Sequence, residues 1–416
     1  MATKQILHMN PGQGETSYAR NSTIQNTLFS KTSIISKKEL HLQKTAQDRM
    51  KPLIEDAIKA FCGAALPKSM VIADLGCSSG PNALTLVSAM VNAIHRYCME
   101  HKQPQPEMCI FLNDLPCNDF NTVAKSLGEF KHGQDSSSHH IIVTSMVPGS
   151  FYDRLFTSTS VHFFCSSISL HWLSEVGMQL DSVNYMYVNS IRIPHICCHG
   201  IIGQYSPLVP FYKQAPEELV KSKIPMYDSD DKLRLLNREI VDNAYARQFR
   251  KDFTLFLSLR AQELVLGGQL IFSLVGRCSS NHASKSTQVW KLLAVALNDM
   301  ASRGMISKEK FDTFHIPIYA PLDKELDSII EDEGSFRINK TMVYDAFHAT
   351  DGMLPSPNIM ASMTRAVFEP VIVQHFGFSG ETMADFSSAV ERLSSSSFLE
   401  AEFPLVCLCL SLTRAR

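Results

Sequence analysis

The sequence predicts an α/β fold, a doubly wound parallel sheet with a mostly helical cap, and three observations carry that prediction. Short strand-like runs alternate with helical patterns, as parallel strands joined by crossover helices require. The apolar run Val71 to Leu75 breaks into the small-residue turn Gly76-Cys77-Ser78-Ser79-Gly80, where a helix can begin. With 416 residues, 45% of them hydrophobic, the chain exceeds one such sheet and has apolar material for a second helical layer.

The elements follow in order. Residues 71–75 read as a buried parallel strand, and the Gly76 to Gly80 segment lets the backbone turn sharply beside a ligand. From Asn82 onward, Leu84, Val87, Met90, Val91 and Ile94 recur at helical spacing. Further strands are predicted at 109–113, 140–145, 161–166, 268–275 and 404–412. Between them, 245–264 reads as a helix whose Phe249, Phe253, Phe256, Leu257 and Leu264 pack on the sheet as plain core. The expected division is a core of 1–277 with 400–416 and a helical cap over 278–399 that contains Trp290 to Leu297.

The turn after the first strand discriminates between nucleotide-like ligands. A dinucleotide site needs G-x-G-x-x-G and an acid about 20 residues further on. Here only Gly76 and Gly80 are present, and the next strand-end acid is Asp114. An acid within the motif, Asp74, repels a pyrophosphate and suits a cationic ligand. S-adenosylmethionine carries a sulfonium and an ammonium and no phosphate. Asp114, ending the second strand, can accept from both ribose hydroxyls. Asp119 reads as a helix N-cap, and Ser150 with Phe151 offers a hydroxyl and an aromatic face to an adenine.

In an open parallel sheet the segment after the fourth strand borders the reaction site. There Trp172 can aim its indole N–H at a substrate carboxylate or fill the core, and His171 is read as shaping the pocket in preference to acting as a base.

These motifs resemble the plant SABATH methyltransferases, which move a methyl group from S-adenosylmethionine to small carboxylic acids. The resemblance runs nearly end to end: Gly12 to Gln25, Asp74 to Asn82, Phe111 to Asn121, Pro148 to Tyr152, Ser169 to Ser174, Tyr245 to Phe249, Gly276-Arg277, Pro317-Ile318-Tyr319 and Glu333 to Phe336. It implies a Rossmann-like methyltransferase sheet whose cofactor contacts are Ser22, Asp74, Gly76, Gly80, Asp114, Leu115, Ser150 and Phe151, with Tyr18 close by. It implies that Gln25 and Trp172 hold the substrate carboxylate, and that Ile168, His171, Val289, Trp290 and Tyr319 line the rest of the acyl pocket. A divalent ion, magnesium, is implied beside Asp312 and Phe314, with His315 where the family has Asn. Asn10 stands where salicylate-type members often have Lys, and the aromatic usual at position 168 is replaced by Ile168. The family further implies a homodimer.

Composition excludes other classes. Lys+Arg at 39 nearly balance Asp+Glu at 41 and no basic run occurs, so nucleic acid is not an expected partner. No apolar segment is long enough to span a bilayer, and the N-terminus lacks a signal-peptide pattern. The 11 cysteines read as buried thiols of a reducing, cytoplasmic setting.

Two stretches interrupt the resemblance. Residues 26–42 and 175–213 each follow a proposed carboxylate donor, and their flanks would join cleanly without them. They read as translated intron or a gene-model error, against the alternative of a lid insertion that displaces Gln25 or Trp172 and silences the chain. Three other readings of function stand beside the carboxyl one: an N-methyltransferase of a purine-like acceptor, a catalytically silent S-adenosylmethionine-binding homologue, and an oxidoreductase.

Overall fold

Strands β1 (Ser69–Leu75), β2 (Glu107–Asp114), β3 (Ile142–Pro148), β4 (Val161–Ser167), β5 (Leu264–Val275), β6 (Phe336–Asp345) and β7 (Val406–Arg414) form one sheet in the order β3-β2-β1-β4-β5-β7-β6. The computed structural model describes residues 42–79, 81–133, 141–174, 215–228, 230–279, 288–345, 356–395 and 406–415. The first five strands pair in parallel, and β7 runs antiparallel to both β5 and β6. Strand order reverses between β1 and β4, so their carboxyl ends flank the crevice where an open sheet of this kind takes its ligand.

Alternation along β1 decides which layer each residue joins. Ile72 points with Ile110 and Phe163 into a cluster under α1 (Leu42–Ala64) and α2 (Thr85–Glu100). Ala73 and Leu75 face the other layer, where α5 (Asp231–Glu263) contributes Phe249, Phe253, Phe256 and Leu257, all fully buried. Each such side chain contributes about 1.5–3 kcal/mol, which explains why the predicted 245–264 helix forms and docks. Between α2 and α5 lie α3 (Phe120–Gly133) and the short α4 (Glu217–Ser222). A third cluster is built from α6 (Gln288–Ser302), α9 (Pro357–Phe376) and α10 (Gly380–Ser395), with Phe314, Ile316 and Ile318 from the segment after α7 (Lys308–Asp312).

All six predicted strands are present, each within a few residues of its expected span. The seventh, β6, falls inside the 278–399 segment expected to be mostly helical. It pairs with β7 at the sheet edge, preceded by α8 (Asp323–Glu333). A bulge between Ile338 and Lys340 breaks its two-residue alternation, and that irregularity hides the strand in the sequence.

Candidate active site

The turn after β1 is built by backbone and by Asn113. Gly76 N and Cys77 N both donate to the Asn113 carbonyl at 2.9 Å. The fully buried Asn113 amide donates to Val147 O at 2.8 Å and Gly149 O at 2.9 Å. One residue therefore ties together the ends of β1, β2 and β3, through its backbone carbonyl toward β1 and its side-chain amide toward β3. Gly76 adopts φ +75°, and a Cβ there would lie 2.5 Å from Ser169 Oγ. The sequence places a ligand against this glycine; in the fold, Ser169 from the loop after β4 fills that space, its Oγ donating to Gly76 O at 3.0 Å.

Asp74 and Asp114 converge here. Asp74 is 5% exposed, and burial, reinforced by the Asp114 charge, pushes its carboxyl well above the usual carboxylate range. Asp114 Oδ2 accepts from Ser78 N at 2.6 Å and Oδ1 from Leu115 N at 2.7 Å. Burial pushes its pKa up to about 6, against the pull of those two hydrogen bonds. Each oxygen keeps a further lone pair, since a carboxylate offers roughly four acceptor sites. Ser78 Oγ is buried and has no hydrogen-bond partner among the described residues. Asp119 caps α3 as expected, its Oδ1 accepting from Thr122 N at 3.1 Å.

Ser150 and Phe151 follow β3. Ser150 Oγ accepts from Tyr152 N at 3.1 Å, and the Phe151 ring packs edge-on to Tyr152 and Phe256. A Cβ on Gly76 would sit 3.6 Å from the Phe151 ring, so this aromatic stands beside the β1 turn.

On the other side of the crevice, Ile168 adopts φ +54°, a left-handed conformation costly for a β-branched residue. Its amide donates to Ser273 O at 2.8 Å, and its half-buried side chain packs toward the α1/α2 layer. His171 is 3% exposed, and burial pushes its pKa down to about 3, so it is neutral across the physiological range. Trp172 is half-buried, with its ring 6.0 Å from that of Phe368 in the third cluster. Tyr319 N donates to His171 O at 3.0 Å and Leu173 N to Pro317 O at 2.8 Å. The Tyr319 hydroxyl donates to Glu325 at 3.0 Å and accepts from Arg277 at 2.8 Å, and its ring packs on Phe249.

The structure thus gathers Asp74, Gly76, Asp114, Leu115, Ser150 and Phe151 on one side and His171, Trp172 and Tyr319 on the other. Val289 and Trp290 begin α6, with side chains outside the described set. Tyr18, Ser22, Gln25, Gly80 and nearly all of the two interrupting stretches lie outside the described residues. A sequence model of the family described as SAM dependent carboxyl methyltransferase matches residues 36–199 and 193–415.

The chain belongs to this family. It is 33% identical over 432 aligned positions to the probable jasmonic acid carboxyl methyltransferase 1 of Theobroma cacao, covering 100% of each chain. It is 35% identical over 388 positions to the salicylate carboxymethyltransferase of Clarkia breweri, covering 91% of this chain and 89% of that one. The solved loganic acid methyltransferase with SAH shares the fold, with a TM-score of 0.71 at 24% identity over 98% of this chain and 99% of that one.

S-adenosylmethionine, the methyltransferase family's cofactor, suits the residues present. The open lone pairs of Asp114 and the orphaned Ser78 hydroxyl match a ribose, and Asp74, whose charge burial disfavours, would gain from a cation beside it. The proposed ion segment is different. Asp312 has one other carboxylate, Asp228, in electrostatic reach, Phe314 is packed against His375 and Phe376, and His315 faces the carbonyls of Thr313 and Ile224. No group of three His, Cys, Asp or Glu able to hold a metal occurs among the described residues, so the residues of this segment do not fit an ion.

Asn113, Ser169, Tyr152, Asp252, Arg260 and Glu263 carry the site without having been singled out as site residues. A signal for the last three was present: they lie on the same helical stripe as Phe249, Phe253 and Phe256, where a charge is out of place.

Proposed function

We propose that this methyltransferase esterifies the carboxylate of a small plant acid of the benzoate, salicylate, anthranilate, jasmonate or indole-acetate type. The observation that carries the reading is the Trp172 loop, pinned beside the β1 turn by Ser169 and by the 317–319 segment. The names of the relatives support the acid class. When bound, S-adenosylmethionine supplies a methyl carbon that a carboxylate oxygen attacks as the carbon–sulfur bond breaks, its electron pair returning to sulfur.

The protein's own residues have little acid–base work. An acceptor acid with a pKa near 4 is already ionised at pH 7, and a neutral, buried His171 is consistent with the absence of a general base. Trp172, with Gln25, is assigned to orient one carboxylate oxygen, and such alignment can supply several kcal/mol of barrier reduction. Ile168, His171, Val289, Trp290 and Tyr319 are assigned to the acyl pocket. The nine described cysteines are free thiols, which supports a cytoplasmic setting, and light scattering would read the expected homodimer.

The test is a panel of these acids and of purines with methyl-labelled cofactor, run on the full chain and on a form lacking 26–42 and 175–213. The expected product is a base-labile ester, recovered in higher yield from the trimmed form. A base-stable product from a purine would replace this reading with N-methylation, and cofactor binding with no turnover anywhere would make the chain a silent homologue.

A further inference from the structure

Helix α5 supplies buried charge to both walls of the crevice. Arg260 and Glu263 are fully buried and form an ion pair at 2.8 Å. Burying such a pair is rarely stabilising in itself unless its remaining hydrogen-bonding groups are used. Here they go to a single loop. Arg260 donates through Nη1 to Phe151 O at 2.8 Å and through Nη2 to Asp153 O at 2.9 Å. Glu263 Oε1 accepts from Leu155 N at 2.7 Å and Phe156 N at 3.0 Å. Four backbone groups between Phe151 and Phe156, a segment with no regular secondary structure of its own, are thus fixed by one pair.

Two turns earlier, about 12 Å along the same helix, Asp252 serves the opposite wall. It is 3% exposed and accepts from Ser174 N at 2.9 Å, Ser174 Oγ at 2.7 Å and Gln248 Nε2 at 2.9 Å. Ser174 closes the loop that carries Trp172. The Trp172 carbonyl in turn accepts from the Tyr152 hydroxyl at 2.7 Å, so the two loops are also joined to each other.

We propose that α5 holds two positioning devices for methyl transfer: Arg260 with Glu263 sets the loop that presents Phe151 to the cofactor, and Asp252 through Ser174 sets the loop that presents Trp172 to the acceptor carboxylate. The proposal rests on the assignment of Phe151 and Trp172 to those ligands. It places three charged residues of a core-packing helix in the service of alignment, each acting through another residue.

The experiment uses the full chain with two readouts: calorimetric affinity for S-adenosylhomocysteine, and iodide quenching of Trp172 fluorescence in a Trp290→Phe background, which leaves Trp172 as the single tryptophan. Arg260→Lys keeps the charge opposite Glu263 but cannot span Phe151 O and Asp153 O together, so affinity for S-adenosylhomocysteine should fall about tenfold, with quenching changed less than in the Ser174 and Asp252 variants. Ser174→Ala, a mild truncation, and Asp252→Asn should raise quenching while affinity stays within about twofold. If both readouts move together in every variant, or neither moves, the helix is plain scaffold and the proposal is overturned. A Phe151→Ala variant separates the layers of inference. Unchanged affinity there sinks the ligand assignment and with it the proposal, whereas weakened affinity there with none in Arg260→Lys sinks the positioning role alone.

Discussion

The two walls of the crevice are made differently. The wall proposed for the cofactor is a set of strand ends whose backbone groups are sewn to two strand-end residues: Asn113 joins β1, β2 and β3, and the Asp114 carboxylate is clamped by the amides of Ser78 and Leu115. The wall proposed for the acceptor is a loop held at a few points, by Ser169, by the 317–319 segment and by Ser174, with its proposed functional faces given by side chains such as His171 and Trp172. Main-chain geometry tolerates little substitution, whereas side chains on a pinned loop can be exchanged without moving the pins. That contrast suits a family described as SAM dependent whose members include relatives named for jasmonate, salicylate and anthranilate.

The contrast can be broken at its strictest point. Gly76→Ala combines a positive φ with a Cβ 2.5 Å from Ser169 Oγ, and should cost about 3 kcal/mol of stability by chemical denaturation. Adding Ser169→Gly should return the steric share of that loss and none of the backbone share. A smaller effect is expected from Asp114→Asn, whose amide must turn a donor toward the N–H of Ser78 or Leu115. Its affinity for S-adenosylhomocysteine, read by calorimetry, should fall by about 2 kcal/mol.

Acidity probes the same residue without mutation. Because the Asp114 pKa is raised to about 6, above its ordinary 3.8, the folded protein holds this proton longer than the unfolded chain. This group's contribution to ligand-free stability therefore declines as pH rises from about 4 to about 6. A ribose needs the ionised form as acceptor, so affinity for S-adenosylhomocysteine should weaken below about pH 6, by up to about tenfold per pH unit. The Asp114→Asn variant should lack this dependence.

The acceptor wall should respond on its own terms. Trp172→Phe keeps a ring against Phe368 but removes the indole N–H. Acceptor KM should rise about fivefold, with affinity for S-adenosylhomocysteine unchanged. The smallest effect concerns His171: since its pKa is pushed down to about 3, His171→Asn should alter acceptor KM without removing any limb of the pH–rate profile above pH 5.

The cofactor wall was largely legible in the sequence because its signals are local. Val71 to Leu75, the turn glycine and the strand-end Asp114 lie within short runs whose periodicity and punctuation suffice. What was not legible depends on meetings between distant segments. Ser169 occupying the space beside Gly76 spans 93 residues, and Arg260 reaching Phe151 O spans 109. No period in the sequence encodes either. Strand β6 escaped for a different reason: its bulge and its edge position, with polar Asn339, Lys340 and Thr341 in succession, erase the alternation that marks a half-buried strand. The apolar stripe on α5 reads as sheet-packing in the sequence and packs so in the fold, whereas the loops its three charges hold lie 78 to 109 residues away.

The contact between Ser169 and Gly76 has a lasting consequence for any descendant of this gene. Ser169, in the loop proposed to select the acid, is also the stopper behind the turn proposed to grip the cofactor. On the proposed reading, drift toward a new acid is fenced off from Ser169, from the core residue Leu170 and from the Asp252-bound Ser174, and falls to side chains such as His171. A lineage that enlarges Ser169 would press on the Gly76 turn, and so on the proposed hold on the methyl donor, before it could explore another acid.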